Sequence, residues 1–314
     1  MKFSQGIWIV LAVPLALGAA QGGAGRAAPA PSAAGAPIVV GVIDDEIGHA
    51  TSAYVTRLLE AARSQKAQAL VIEINTFGGR VDAAVAIRDA LLDAPLVTVA
   101  FINKRAISAG ALISLACKKI VITAGGTIGA AMPGQMAPGD SAAKPVEEKY
   151  ISYFREEMRS TAEARGRNGD IAEAMVDADK EIKGLSPKGK LLTLTTESAL
   201  KHRIADAQAE TLEGALAAMG LSGPLVRVSR NWSEELVGYL TSQAVASLLF
   251  MLMVVLAYLE YQAPGFGVFG FGAIACFLVL FFSHYLVNLA GLEEIILFAV
   301  GVALLLVELF VIPG

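Results

Sequence analysis

The sequence predicts an α/β domain with a mainly parallel sheet, followed by an α-helical transmembrane region. Three observations carry this. Strand-like and helix-like runs alternate from Pro37 to Asp206. Residues 237–314 contain no Lys or Arg. That same stretch holds three hydrophobic runs, about Tyr239–Leu259, Phe266–Val287 and Glu294–Ile312, each long enough to cross a bilayer.

Pro37 to Ile43 (PIVVGVI) is a β-rich run and reads as the first strand. Thr51 to Gln65 is helical, with apolar spacing at Tyr54, Leu58, Leu59 and Ala62. Ala69 to Ile74 is the next strand, ended by Asn75-Thr76-Phe77-Gly78-Gly79. Val81 to Asp93 returns to helical period through Val81, Val85, Leu91 and Leu92. Leu96 to Phe101 reads as a strand, Ile107 to Ala116 as a buried helix and Lys119 to Thr123 as a short strand before Gly125-Gly126-Thr127-Ile128-Gly129. Met132 to Glu148 has three prolines, two glycines and no period, so it reads as a mobile loop. Helices are expected over Glu147–Arg165, Ile171–Asp179 and Thr196–His202, the last feeding Ile204-Ala205-Asp206.

Composition sets outer limits. The 314 residues are 55% hydrophobic and 17% charged, with mean hydropathy +0.57. Soluble chains carry about 25% charge, so a purely soluble protein is nearly ruled out. Of 29 acidic residues only Glu260, Glu293, Glu294 and Glu308 lie outside residues 37–236; of 25 basic residues only Lys2 and Arg26 do. Residues 37–236 therefore hold 25 acidic and 23 basic side chains and read as a water-facing domain. The net charge of −4 gives no basic footprint, so no nucleic-acid partner is expected. Two cysteines, Cys117 and Cys276, exclude a disulfide-stapled fold and a four-cysteine zinc site. Without a Walker loop or a His/Cys cluster, no metal or other cofactor is expected.

Residues 1–20 read as a secretory signal: Lys2, an apolar run from Ile7 to Leu17, then Gly18-Ala19-Ala20. Residues 21–36, rich in Gly, Ala and Pro, read as a flexible linker. The domain plan is thus signal, linker, soluble domain 37–236 and membrane region 237–314. An exported signal puts the soluble domain outside the cytoplasm of a multi-pass cell-membrane protein. Glu260…Pro264-Gly265 and Glu308…Pro313-Gly314 repeat one pattern 49 residues apart (314 − 265), and the chain is expected to be a truncated form of a longer protein. Glu260 and Glu308 read as markers of the membrane interface.

Three features carry candidate chemistry. Ser108 comes after a strand and opens an apolar helix among small neighbours, Ala106-Ile107-Ser108-Ala109-Gly110. A serine there sits in the positive end of the helix dipole and suits a nucleophile, with the Ala109 N–H facing an oxyanion. The alternative is a simple helix N-cap. Gly78 and Gly79, directly after a strand, expose backbone N–H groups that suit an oxyanion hole; the alternative is an ordinary turn. A serine nucleophile also needs a base. His284 lies in a hydrophobic run, and His49 and His202 read as surface residues without a partner motif. A lysine serves if burial disfavours its charge. Lys149 stands where the loop meets the helix in Glu147-Glu148-Lys149-Tyr150-Ile151-Ser152-Tyr153-Phe154, with aromatic neighbours to desolvate it. Lys144 is a rival, Lys118 and Lys119 weaker ones, and a solvated surface lysine is the alternative for all four.

Asn75-Thr76-Phe77-Gly78-Gly79-Arg80-Val81-Asp82-Ala83-Ala84, Ile107-Ser108-Ala109-Gly110, Thr127-Ile128-Gly129-Ala130, and Lys149 to Phe154 through Gly166-Arg167-Asn168 together resemble the Clp-protease/crotonase superfamily. More narrowly they are similar to the long-form NfeD membrane serine proteases, over about residues 37–312. The resemblance implies a Clp-protease-like domain of repeated β-β-α units and a Ser-Lys dyad peptidase. Its serine falls on Ser108, its lysine on Lys149 and its turn glycines on Gly78 and Gly79; Phe77 replaces the family's usual proline. It implies peptide substrates, apolar segments of stomatin-like membrane proteins among them, and a homo-oligomer of at least two copies. It also implies a further β-barrel domain absent from this chain. The loop 132–148 is expected to act as a lid that carries Lys149 into place. Two other classes remain: a non-catalytic membrane scaffold, and an acyl-CoA enzyme, which the export signal disfavours.

Overall fold

The computed structural model describes residues 35–135, 144–145, 147–262, 267–286, 296 and 300–301. The signal, most of the linker, Lys144's side chain, much of the 132–148 loop and most of the third hydrophobic run lie outside the described residues. Elements in chain order are β1 (Ile38–Ile43), α1 (His49–Ser64), β2 (Ala69–Thr76), α2 (Val81–Leu92), β3 (Val97–Ile107), α3 (Ala109–Ala116), β4 (Lys119–Ile122) and β5 (Thr127–Gly129). Then come β6 (Gly134–Gln135), β7 (Lys144–Pro145), α4 (Glu148–Ala164), α5 (Gly169–Ala174), β8 (Thr193–Thr195), α6 (Thr196–Lys201) and β9 (Ala207–Gln208). The chain continues with α7 (Leu212–Ala218), β10 (Leu225–Arg227), α8 (Trp232–Thr241), α9 (Gln243–Gln262) and α10 (Val268–Leu286).

The main sheet runs β10-β1-β2-β3-β4-β9 with every pair parallel. Parallel sheets are buried on both faces, and the side-chain alternation of the strands shows it. Val39, Ile43, Leu70, Ile72 and Ala100 face the core under α1, α2 and α3. Ile38, Val40, Ala69, Val71, Val99 and Phe101 face the opposite layer, where Leu212, Ala215 and Leu216 of α7 cover them. Tyr54 ties two strands to α1. Its hydroxyl accepts the Val42 N–H at 3.2 Å and donates to the Val228 carbonyl at 2.5 Å.

Several elements depart from the sequence reading. The third strand is longer than Leu96–Phe101 suggests. Its first half pairs with β4 through Val99–Ile102 and its second half with β5 through Arg105–Ile107. Lys104, at φ +94°, marks the bend between the halves, so the strand runs directly into Ser108, which is itself the turn into α3. The helix expected to reach Asp179 stops at Ala174. Among its described residues, the periodless loop contains a short antiparallel pair, β6 with β7. The first hydrophobic run is divided: α8 ends at Thr241, Ser242 is extended (φ −60°, ψ 141°), and α9 begins at the next residue.

In the membrane region, Ala244–Gln262 is long and apolar enough to span a bilayer, whereas α10 has a shorter apolar stretch, Val268–Ser283. Glu260 does more than mark an interface. Its two carboxylate oxygens accept the N–H groups of Gly267 at 2.6 Å and Gly270 at 2.8 Å, which pairs two donors at the start of α10.

Candidate active site

Ser108 sits at φ +55°, ψ −121°, a strained conformation for a non-glycine residue. It occupies the N-cap position of α3, yet its hydroxyl makes no capping hydrogen bond. The backbone holds it instead: its N–H donates to the Gly129 carbonyl at 3.0 Å, and its carbonyl accepts from Ala111 N–H at 2.9 Å. A serine pushed out on a sharp strand-to-helix turn, its oxygen without a hydrogen bond among the described residues, has a geometry that suits a nucleophile. Gly110 permits it, since a Cβ there would lie 2.6 Å from Thr76 Cγ2 and hold α3 off β2. The rest of α3 is wholly buried.

The double-glycine turn faces this serine. A Cβ on Gly78, at φ +114°, would lie 2.5 Å from Ser108 Cβ and 2.9 Å from its Oγ. A Cβ on Gly79 would lie 2.2 Å from the Ile47 carbonyl oxygen, so this side chain too is excluded. Thr76 organises the turn: its Oγ1 accepts the Gly78 N–H at 3.0 Å and donates to the Asp45 carbonyl at 2.6 Å. The Gly78 N–H is therefore engaged. The N–H groups of Gly79 and Ala109 have no hydrogen-bond partner among the described residues and are the donors left for an oxyanion.

A cavity of about 600 Å³ opens on the turn. Asn75, Thr76, Phe77 and the two glycines line it, with Asp44, Asp45 and Glu46 on one wall and Arg105 on another. Phe77 is 73% exposed, and the Arg105 guanidinium stacks 4.4 Å over its ring. Arg230 pairs with Asp45. Sequence reasoning missed this wall, because Phe77 and Arg105 meet only through the β2–β3 pairing.

Lys149 is placed differently from the glycines. Its side chain is 67% exposed, its Nζ lies 3.0 Å from Glu147 Oε2, and it sits 5.0 Å over the Tyr150 ring. The helical phase explains this: Ile151, Phe154 and Met158 turn inward, leaving Lys149, Tyr150 and Tyr153 on the outer face. No hydrogen bond joins Lys149 to Ser108 among the described residues. Lys118 contacts the Pro95 carbonyl and Lys119 pairs with Asp206.

His49, expected at the surface, is largely enclosed, with its Nε2 3.6 Å from Asp82 Oδ2. Cys117 is not a rival nucleophile: it is fully buried, and burial pushes its thiol up to about 12. Two arginines hold α3 from behind. Arg165 donates to the carbonyls of Ala116, Leu91 and Leu92. Arg167, 8% exposed, donates to those of Leu115, Cys117, Lys118 and Ile204 and to Asp206. Burial lowers the Arg167 pKa, against the pull of Asp206. This is the physical content of the Gly166-Arg167-Asn168 stretch: the helix bearing Ser108 is capped at its far end by a buried cation.

A parallel α/β domain of Clp-protease-like fold, with a serine elbow set against a double-glycine turn and helices that include a candidate membrane span, defines the class. The chain belongs to the NfeD family: residues 38–228 match the NfeD1b N-terminal domain and residues 244–314 the NfeD integral membrane domain. It is therefore a membrane protein. It is 29% identical to the membrane protein NfeD1b of Bacillus subtilis over 274 residues, 87% of this chain. It is 27% identical to the membrane-bound protease PH1510 of Pyrococcus horikoshii over 283 residues, 82% of this chain. The chain spans 61% of the length of each relative. Among solved structures it is similar to 1510-N, a membrane-bound stomatin-specific protease. A lysine-to-alanine mutant of 1510-N in complex with a substrate peptide gives TM-score 0.57 at 23% identity, over 65% of this chain and 97% of that one. A serine-to-alanine mutant gives TM-score 0.54 at 23% identity, over 62% and 98%.

Proposed function

We propose that this protein is a membrane-anchored serine endopeptidase that uses a Ser108–Lys149 dyad. The observation that carries the reading is Ser108 itself: strained, uncapped and set against the Gly78-Gly79 turn. The two residues mutated in the 1510-N structures, a serine and a lysine, are 41 residues apart, the same separation as Ser108 and Lys149 (149 − 108 = 41). In the mechanism, a neutral Lys149 amine takes the Ser108 hydroxyl proton as the oxygen attacks a peptide carbonyl. Gly79 and Ala109 N–H groups hold the oxyanion. The lysine ammonium then protonates the leaving amine, and water, activated by the same amine, hydrolyses the acyl-enzyme.

The exposed Lys149 must first leave Glu147 and become desolvated. Its place at the start of α4, at the end of the 132–148 loop, suits delivery by that loop. The substrates are apolar peptide segments, those of stomatin-like membrane proteins included. The enzyme works as an oligomer of at least two copies, a multi-pass membrane protein with the protease domain outside the cytoplasm. The exposure of Lys149 favours a second reading, a scaffold without catalysis.

One digest separates the two. Full-length chain in detergent is given an apolar peptide library beside Ser108→Ala and Lys149→Ala. Cleavage by the wild type alone is expected; cleavage that persists in Ser108→Ala rejects the dyad, and none by any form supports the scaffold.

A further inference from the structure

Helix α8 belongs to neither matched domain, which end at residue 228 and begin at residue 244. One face carries Trp232, Leu236 and Tyr239, which are 76%, 47% and 66% exposed. Their spacing of four and three residues aligns them in one stripe. The other face is docked on the soluble domain. Val237 is buried, and the Glu234 carboxylate accepts two hydrogen bonds from Arg57 of α1, at 2.7 and 2.6 Å.

The adjoining span bears on what covers the apolar stripe. After the single extended residue Ser242, the chain enters the candidate span Ala244–Gln262. Near the far end of that span Tyr258 and Tyr261 are 59% and 72% exposed. From Gln243 to Tyr261 the helix rises about 27 Å, close to the hydrocarbon thickness of a bilayer. Trp and Tyr concentrate at the two membrane–water interfaces. The far pair marks one interface, which leaves α8 at the other, and the Ser242 break frees its axis from that of the span.

We propose that α8 is an interfacial helix whose Trp232–Leu236–Tyr239 stripe is seated at the headgroup–acyl boundary of the bilayer. Through the Glu234–Arg57 pair and the close approach of Gly238 to Ala50 of α1 it clamps the α/β domain to the membrane surface. The stripe is aromatic and aliphatic, and α8 contains no Lys or Arg. Docking therefore requires no anionic lipid and rests on apolar burial. This holds whether or not Ser108 is catalytic.

Trp8 and Trp232 are the two tryptophans, so Trp8→Phe leaves a single reporter on the stripe. The full chain is placed in phosphatidylcholine vesicles, some brominated on the acyl chains near the headgroup, with and without phosphatidylglycerol. The expected result is Trp232 emission quenched by the brominated lipid, protected from acrylamide in the water, and indifferent to the anionic lipid. Emission open to acrylamide and blind to bromine would overturn the proposal. So would protection from both quenchers, which would mean that protein, a second copy included, covers the stripe. A spin label on Leu236→Cys, in a Cys276→Ala background, gives an independent reading. Collision with dissolved oxygen should exceed collision with a water-soluble nickel chelate, and the reverse order would also overturn the proposal.

Discussion

Gly78→Ala tests the site at its tightest contact. The new Cβ would stand 2.5 Å from Ser108 Cβ, whereas carbon atoms settle at about 3.5–4.0 Å. The serine must retreat by about 1 Å, and misplacement on that scale costs about 10²-fold in rate. Stability should suffer twice. Alanine at φ +114° costs about 1–2 kcal/mol of backbone strain. Overpacking against the elbow adds about 1–3 kcal/mol. Gly125→Ala is the control, since its φ is also positive, +71°, but no atom lies within 4 Å of the added Cβ. It should carry the strain cost alone. Thermal unfolding of the full chain in detergent and kcat/KM on an apolar peptide are measured for both variants. Gly78→Ala that is no less stable than Gly125→Ala and cleaves at the wild-type rate would refute the placement of Ser108 against the turn.

Arg167→Ala leaves the Asp206 charge and four carbonyls short of a donor and should cost about 3–5 kcal/mol in denaturant unfolding. Arg167→Lys should recover only part of this, because one ammonium cannot reach the same fan of acceptors. Asp170 is held below its ordinary 3.8 by hydrogen bonds from Lys180 and Arg159. Burial pushes Glu173 up, but Arg159 and Lys180 outweigh it and hold it below 4.5. Depressed carboxylates stabilise the fold above their unfolded pKa and lose that contribution as pH falls through the folded value. The melting temperature should therefore drop as pH falls below 4.5 and on past 3.8, with a shallower slope in Lys180→Met. Cys117, buried and with its thiol raised to about 12, should resist iodoacetamide at neutral pH until the protein unfolds, as mass mapping of the adducts will show.

Much of the scaffold was legible because it rests on local pattern. β1, α1, β2 and α2 lie within two residues of where apolar spacing puts them. The second half of β3 was hidden, since Asn103-Lys104-Arg105 is polar and looks like a turn, and only the non-local pairing with β5 makes it a strand. β8, β9 and β10, of two or three residues each, are too short to show a period. The division at Ser242 carries no Gly or Pro signal, so α8 blended into the hydrophobic run behind it. At the site, residue type pointed to Ser108, Gly78, Gly79 and Ala109, and the fold gathers them. The strained φ of Ser108 has no signature in composition. Lys149 shows the limit of neighbour arguments: Tyr150 and Tyr153 adjoin it in sequence, but the helix turns all three outward.

Activation of the Ser108 hydroxyl by Lys149 can be read without any knowledge of the substrate. A serine-reactive phosphonate is applied to the full chain and the adduct is mapped by mass spectrometry. One adduct is predicted, on Ser108, absent from Ser108→Ala and formed at least about 10²-fold more slowly in Lys149→Ala. A wild-type protein that cleaves peptides yet carries no adduct on Ser108, or a Lys149→Ala variant labelled at the wild-type rate, would contradict the dyad.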